Sequence, residues 1–362
     1  MSRDDVEVMV AKARERNEHP NLTNVNLQSR DLQGVDLSGA DLTNVNLAGA
    51  NLEKANLERA ILTDVNLIGA NLTKTNLQWA RLNDVNLKQA TLMGADLWCS
   101  VIDRSNFTNA NLTSVRLLDA RLLEVDLSGV NLSDGNLSAS KLTATTLTGA
   151  NLTGADLTNA NLVGTHLEGV NLTGATLLDL ASERVTGWPV VLPDQWTIFK
   201  GHLIGPGVDL RGVDLSGEDL SGAIVCDSDL TDVNFSNANL ACVNLSRVDL
   251  AYALLCNANL TGADLTQALL FDANLDGAKL DGANLTGVSL EDVNLTEAHL
   301  TDDPLTVIKH HIPEVRVWAA QRITDADALL HLATDTDSRV RAAVIGNSCC
   351  PAAVAAIAAL QT

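Results

Sequence analysis

The chain runs to 362 residues with a formal net charge of −21 and only 3% aromatic side chains. So strong an excess of carboxylates argues against direct contact with nucleic acid or with an anionic membrane surface. No stretch approaches the run of about 18 apolar residues that spans a bilayer, and Met1-Ser2-Arg3-Asp4-Asp5 carries no apolar leader, so a cytoplasmic protein is expected.

Residues Arg3 to Asn17 read as an amphipathic helix. Ser2 with Asp5 forms a capping-box-like start, Val6, Met9, Val10 and Ala13 share one stripe, and Arg14 and Arg16 suit the C-terminal end. Pro20 stops the helix, which is expected to act as a lid on whatever follows (residues 1–19). Arg30 stands near that end at a position where a small side chain is the rule.

From Leu22 to Leu177 every fifth residue is leucine except Ile102 and Phe107. Two residues earlier stands a small or β-branched side chain, as in Val25, Val35 and Ala40. One residue earlier stands Asn or Asp, as in Asn26, Asp36 and Asp41. A period of five fits neither a helix nor a flat strand. Two inward side chains in five residues need a short extended piece and then a bend. Four such units close a square coil, and coils stack at about 4.8 Å. The unit A/V-N/D-L-x-x resembles the pentapeptide repeat family. That resemblance implies an all-β solenoid, a right-handed quadrilateral parallel β-helix, here in two segments with a small all-α C-terminal module.

With twenty residues to a coil, residues 20 apart stack. Asn26, Asn46, Asn66, Asn86 and Asn106 then form one ladder, consistent with amides bonding between coils. Trp98 and Leu118 share an outward column beside that of Trp79 and Cys99, and Arg81, Val101, Arg121 and Lys141 fill a nearby one. Outward tryptophans among arginines are the material of protein-binding hot spots. Trp79, Trp98, Leu118, Val101, Arg81 and Arg121 are therefore a candidate partner surface.

The first block takes residues 20–178. Across residues 179–207 the five-residue pattern lapses. Trp188-Pro189, Leu192-Pro193 and Trp196 precede a short hairpin expected to turn at Lys200-Gly201. The tryptophans are expected to form a satellite core in an insert joining two solenoid segments, a passage that resembles an insert recurring in bacterial members of the family.

The repeat resumes over residues 208–301, with Val225 and Phe235 replacing leucine and Glu218 at an inward position. Here there are fifteen acids and three bases, Arg211, Arg247 and Lys279. At strand spacing that is one net charge per about 1.9 Å, against one per about 1.7 Å of duplex DNA and one per about 7.5 Å in the first block. Asp209, Asp229 and Asp249 stack in one column, with Asp232, Asp272 and Asp292 on the same side. Tyr252, Leu269 and Phe271 interrupt them with an apolar spot.

Residues 302–362 change to helix, opened by Asp303-Pro304 and again at Pro313. Val315-Arg316-Val317-Trp318-Ala319-Ala320 and Val340-Arg341-Ala342-Ala343-Val344 lie 25 apart and resemble variant leucine-rich or HEAT-like repeats, with Trp318 expected in their core.

His310-His311 lacks the spacing of a zinc protease, and no nucleophile-elbow, Walker or dinucleotide-binding element stands in context. The six cysteines, Cys99, Cys226, Cys242, Cys256, Cys349 and Cys350, have neither C-x-x-C nor zinc spacing, so reduced thiols, and no metal or cofactor, are expected. The reading is a non-enzymatic protein-binding rod. The family resemblance implies an alternative, since its quinolone-resistance members are acidic rods that bind DNA gyrase in place of DNA. On that alternative the protein occupies a topoisomerase, for inhibition or for self-immunity, and the Asp209, Asp229, Asp249, Asp232, Asp272 and Asp292 face is the mimic. A homodimer is implied by the same relatives, from which this chain departs in its length, its Trp-Pro insert and its helical end.

Overall fold

A computed structural model describes residues 1–290, 292–299 and 313–360; Asp303, Pro304, His310 and His311 lie outside the described residues. The chain divides into two compact units, Met1–Ile204 and Gly205–Thr362.

The five-residue unit owes its form to complete pairing of its backbone N–H groups, as residues 41–45 show. Asp41 N–H donates to Pro20 O of the preceding coil at 2.8 Å, and Leu42 and Asn44 donate to Ile61 O and Thr63 O of the next at 2.8 and 2.9 Å. Val45 closes the corner onto Leu42 O at 3.1 Å. The remaining donor, Thr43 N–H, is taken by the Asp41 side chain at 2.9 Å. That last bond is the reason for Asn or Asp before each leucine: it caps the corner as an Asx-turn and leaves no donor unpaired. The second corner residue takes positive φ, as at Asn24, Asn44 and Gly34, which explains its enrichment in Asn, Asp and Gly.

The register of 20 residues per coil holds through the first unit, from Asn21 against Asp41 to Asn171 against Val191. Inward leucines and small residues are almost wholly buried, each leucine contributing about 1.5–3 kcal/mol. Some polar inward residues meet backbone carbonyls, as Thr75 Oγ1 donates to Leu52 O at 2.8 Å and Thr165 Oγ1 to Leu142 O at 2.6 Å, whereas the buried Ser100 and Thr145 hydroxyls find no such partner among the described residues. Five consecutive coils carry Ile61, Arg81, Val101, Arg121 and Lys141 where the capping Asn or Asp belongs. The chain is extended at these positions, giving five parallel strands, β1 (Ile61–Thr63), β2 (Arg81–Asn83), β3 (Val101–Asp103), β4 (Arg121–Leu123) and β5 (Lys141–Thr143).

Helix α1 (Arg3–Glu15) starts in a full capping box between Ser2 and Asp5 and buries Val6 and Val10 in the same core as the first coils. Arg14, not Arg30, ties it down: Arg14 pairs with Asp36 at 2.8 Å and donates to Ser38 Oγ at 3.1 Å, while Arg30 stands exposed.

At the other end of this unit the sequence reading needs correction twice. The leucine pattern stops at Leu177, but coil pairing continues to Val191, with Ser182 and Gly187 in leucine's place. The tryptophans make no satellite core. Trp188 is 68% exposed, whereas Trp196 joins Leu192 and Ile198 against the main core. The hairpin does form: β6 (Thr197–Phe199) pairs antiparallel with β7 (His202–Ile204), and Lys200 and Gly201 both take positive φ, as a type I′ turn requires. Val185 N–H donates to Gly201 O at 3.0 Å and Leu203 N–H to Ser182 Oγ at 2.8 Å, so the hairpin is bonded to that end of the solenoid.

The second unit repeats the same coil from Asp209 against Asp229 to Lys279 against His299. Its described helices are α2 (Pro313–Arg322), α3 (Ala326–Leu332), α4 (Ser338–Gly346) and α5 (Ala352–Leu360). Trp318 is not in the helical core, which is built from residues such as Val315, Ala319, Leu329 and Val344. It is half-buried and its indole N–H donates to Leu295 O of the last described coil at 3.2 Å. A buried Arg316–Asp335 pair, at 2.7 and 3.0 Å, stitches α2 to the α3–α4 turn.

Candidate protein-interaction site

Between Asn21 and Leu177 the outward tryptophans, Trp79 and Trp98, share one flank. Trp79 is the second corner residue after Leu77, at φ +60°, which turns the ring out of the coil, where it is 46% exposed. Trp98, one coil on, is half-buried. The two rings meet edge to face, 5.3 Å between centroids, and Trp79 N–H donates to Trp98 O at 3.0 Å.

The base at this pair is not one singled out from the sequence. Arg116 lies over the Trp98 ring at 5.4 Å and pairs with Asp96 at 3.1 Å, while Gln78 donates to the same carboxylate at 2.7 Å. Arg116 occupies an Asn/Asp position, one coil below Asp96. That exception to the repeat was the signal available. Leu118 is half-buried in the same column as Trp98. Arg81, Val101 and Arg121 are neighbours in β2, β3 and β4, so they lie on the next face, across the corner made by buried Ala80. The candidate residues thus form an aromatic half and a basic half on adjoining faces.

The Asn26 to Asn106 ladder is in register along the backbone. The side-chain relay is clearer on other faces: Asn71 donates to Asn51 at 3.0 Å and Asn51 to Asp31 at 2.9 Å. On the Asn26 face the Asn46 amide turns instead to Gln28 at 3.4 Å.

In the second unit Asp209, Asp229 and Asp249 stack as expected, but the column is neither bare nor uniform. Each caps its own corner, Asp229 on Thr231 N–H at 3.1 Å and Asp249 on Ala251 N–H at 2.9 Å. Arg211 grips Asp209 through two bonds, 3.0 and 2.7 Å, and reaches Asp229 at 3.5 Å. Burial would push the Asp209 carboxyl up, yet Arg211 holds it below the ordinary carboxylate range. The next position of the column is Leu269. Asp232, Asp272 and Asp292 are exposed corner residues on this same face, each with positive φ.

A family model of pentapeptide repeats matches eight times, over residues 21–59, 60–98, 104–143, 136–174, 207–240, 228–267, 249–287 and 268–302. No curated protein sequence matches the chain. Among solved structures, HetL, a pentapeptide repeat protein involved in heterocyst differentiation regulation in the cyanobacterium Nostoc sp. strain PCC 7120, is 26% identical, covering 81% of this chain and 96% of that one, with a TM-score of 0.23. A pentapeptide repeat protein from the cyanobacterium Cyanothece 51142 is 46% identical over 25% of this chain and 61% of its own, with a TM-score of 0.25. QnrB1, a plasmid-mediated fluoroquinolone resistance protein, is 17% identical over 58% and 88%, with a TM-score of 0.21. The repeat matches cover well over half of the sequence, and the chain belongs to the pentapeptide repeat family.

Proposed function

We propose that the chain is a non-catalytic protein-binding scaffold and that Trp79, Trp98 and Arg116 are the centre of its partner surface. One observation supports this most: an aromatic pair, with Trp79 half out in water, beside Leu118 on a flank that also carries Arg116. Trp and Arg are the side chains that dominate binding energy at protein interfaces. The reading takes a right-handed quadrilateral solenoid in two segments as the support, with a HEAT-like helical part as its cap, in the cytoplasm.

Affinity capture from native cytosol, with wild type and Trp79→Ala/Trp98→Ala compared, tests it. A partner held by wild type and lost by the folded double variant supports the surface. Equal recovery overturns it, and a double variant that unfolds identifies the rings as structural packing instead.

A second reading, occupation of a topoisomerase such as DNA gyrase in place of DNA, has in its favour the in-register Asp209–Asp229–Asp249 column. It is weakened by Arg211, which contacts two of the three carboxylates and offsets one charge, and by Leu269, which ends the column. A supercoiling assay titrated with purified protein decides it: inhibition that falls steeply with salt supports mimicry, and no effect at saturating protein removes it.

A further inference from the structure

The face of the second unit whose inward leucines are Leu210, Leu230, Leu250, Leu270 and Leu290 carries a feature that neither reading uses. Tyr252 and Phe271 meet edge to face, 5.5 Å between centroids, and Leu269 lies beside them. All three are largely in water, Leu269 at 61%, Phe271 at 53% and Tyr252 at 49% exposed. In a chain this poor in aromatics, three large apolar side chains together on one face are not scatter.

The spot is concave. Ala251, Ala268, Gly287 and Ser289 are small, and between them and the Leu269 and Phe271 side chains lies a cavity of about 520 Å³. That is within the range of sites that accept side chains or small ligands.

Asp249 and Asp292 line it, and Asp232 and Asp272 stand on the same face. Asp249 stands one coil above Leu269 in the same column, Asp272 follows Phe271, Asp292 lies one coil beyond Asp272, and Asp232 one coil before Tyr252. Among the described residues none of these four makes an ion pair. The three bases of this block are placed elsewhere: Arg211 with Asp209 and Asp229, Arg247 with Asp227 at 2.6 Å, and Lys279 two faces away. Among the described bases of this block, none neutralises the rim.

We propose that this groove docks a basic amphipathic peptide segment of a protein partner, an aliphatic side chain filling the hollow and arginines or lysines meeting the rim. Apolar contact alone would not select for the carboxylates, and a polycation would have no use for the hollow. Nucleic acid and anionic lipid are repelled by the same charges. The groove and the Trp79 surface lie in different units, so each stands or falls without the other.

The test uses the full chain and a fluorescein-labelled synthetic peptide of alternating arginine and leucine, read by anisotropy at physiological salt. An arginine–glycine peptide of equal charge serves as control. Saturable one-to-one binding is expected, about tenfold or more tighter than for the control. Phe271→Ser and, separately, Leu269→Ser should each weaken it about tenfold. Asp272→Asn with Asp292→Asn should weaken it and flatten its salt dependence. Asp219→Asn with Asp281→Asn, the same charge change two faces away, should leave it unaltered. Circular dichroism confirms that each variant is folded, and Tyr252→Ser replaces any that is not. Equal affinity for the arginine–glycine peptide, or equal loss in the Asp219/Asp281 variant, overturns the proposal in favour of bulk charge. Sedimentation of the protein alone showing a dimer that Phe271→Ser disperses overturns it in favour of a second copy as the occupant.

Discussion

The two repeat blocks bury the same ladder of leucine and small side chains, yet their exposed aromatic pairs keep opposite company. In the first, Trp79 and Trp98 meet edge to face under the guanidinium of Arg116; in the second, Tyr252 and Phe271 also meet edge to face, among Asp232, Asp249, Asp272 and Asp292. The difference shows where such a fold keeps its freedom. Each unit commits one inward small residue, one inward leucine and one Asn or Asp that caps the corner. What remains points outward and can change sign without touching the core. Both proposed surfaces lie at exceptions to the repeat.

If the cores are equivalent, they must fail alike. Leu67→Asp and Leu255→Asp each leave an unpaired charge in a dry column, where both leucines are fully buried. Each substitution is expected to cost about 5 kcal/mol or more and to unfold its unit. Thr63→Asp, on the outside of β1, should stay within about 0.5 kcal/mol. Urea denaturation followed by circular dichroism measures all three. A tolerated Leu255→Asp would break the comparison, because the second block would then have a core of a different kind.

The end of the first block gives the next largest effect. Gly187 sits at φ +77°, and a Cβ there would stand 2.6 Å from Glu168 N. Backbone cannot move aside as a flexible side chain can, so Gly187→Ala should cost about 2–3 kcal/mol. Gly34→Ala, at φ +66° with open space around it, should cost only the conformational part, about 1 kcal/mol. Similar losses at the two sites, measured by the same denaturation, would mean that coil pairing beyond Leu177 contributes nothing.

Most of the fold was legible because period five and the side-chain classes are set by burial and by hydrogen-bond need. The hairpin was legible too, since Lys200-Gly201 supplies the two positive-φ residues its turn needs. The continuation to Val191 was hidden, because pairing there is carried by backbone while Ser182 and Gly187 break the leucine signal. Sequence placed Trp79 beside Trp98 but missed Arg116, whose role depends on ring orientation rather than spacing. It grouped Asp209, Asp229 and Asp249 as one bare charge, since nothing in their identity says that corner capping and Arg211 already engage them. Trp188 and Trp196 were read as one cluster for want of any periodicity to tell an exposed ring from a packed one.

The smallest effect tests how much of the second block's acidity is held in check from within. Arg211 is 62% exposed, so its pairs with Asp209 and Asp229 are screened by water, and Arg211→Gln should cost at most about 1 kcal/mol at pH 7 and less in 1 M salt. The sign of the pH dependence follows from Asp209. Its carboxyl is pushed up by burial but held below the ordinary range by Arg211. The stability it brings is therefore present above the unfolded value, about 3.9, and is lost as pH falls through the lower folded one. Without Arg211 only burial and the Arg211-position N–H remain to act on it, so the folded pKa should rise and the variant should shed stability at higher pH than wild type. The two proteins should converge in acid, once pH falls below the lower, wild-type folded value and the carboxylate is protonated in both. Urea denaturation at pH 7 and in acid reads the difference directly. An equal deficit at both pH values would show that Arg211 serves by packing its aliphatic stem rather than by holding the charges of Asp209 and Asp229.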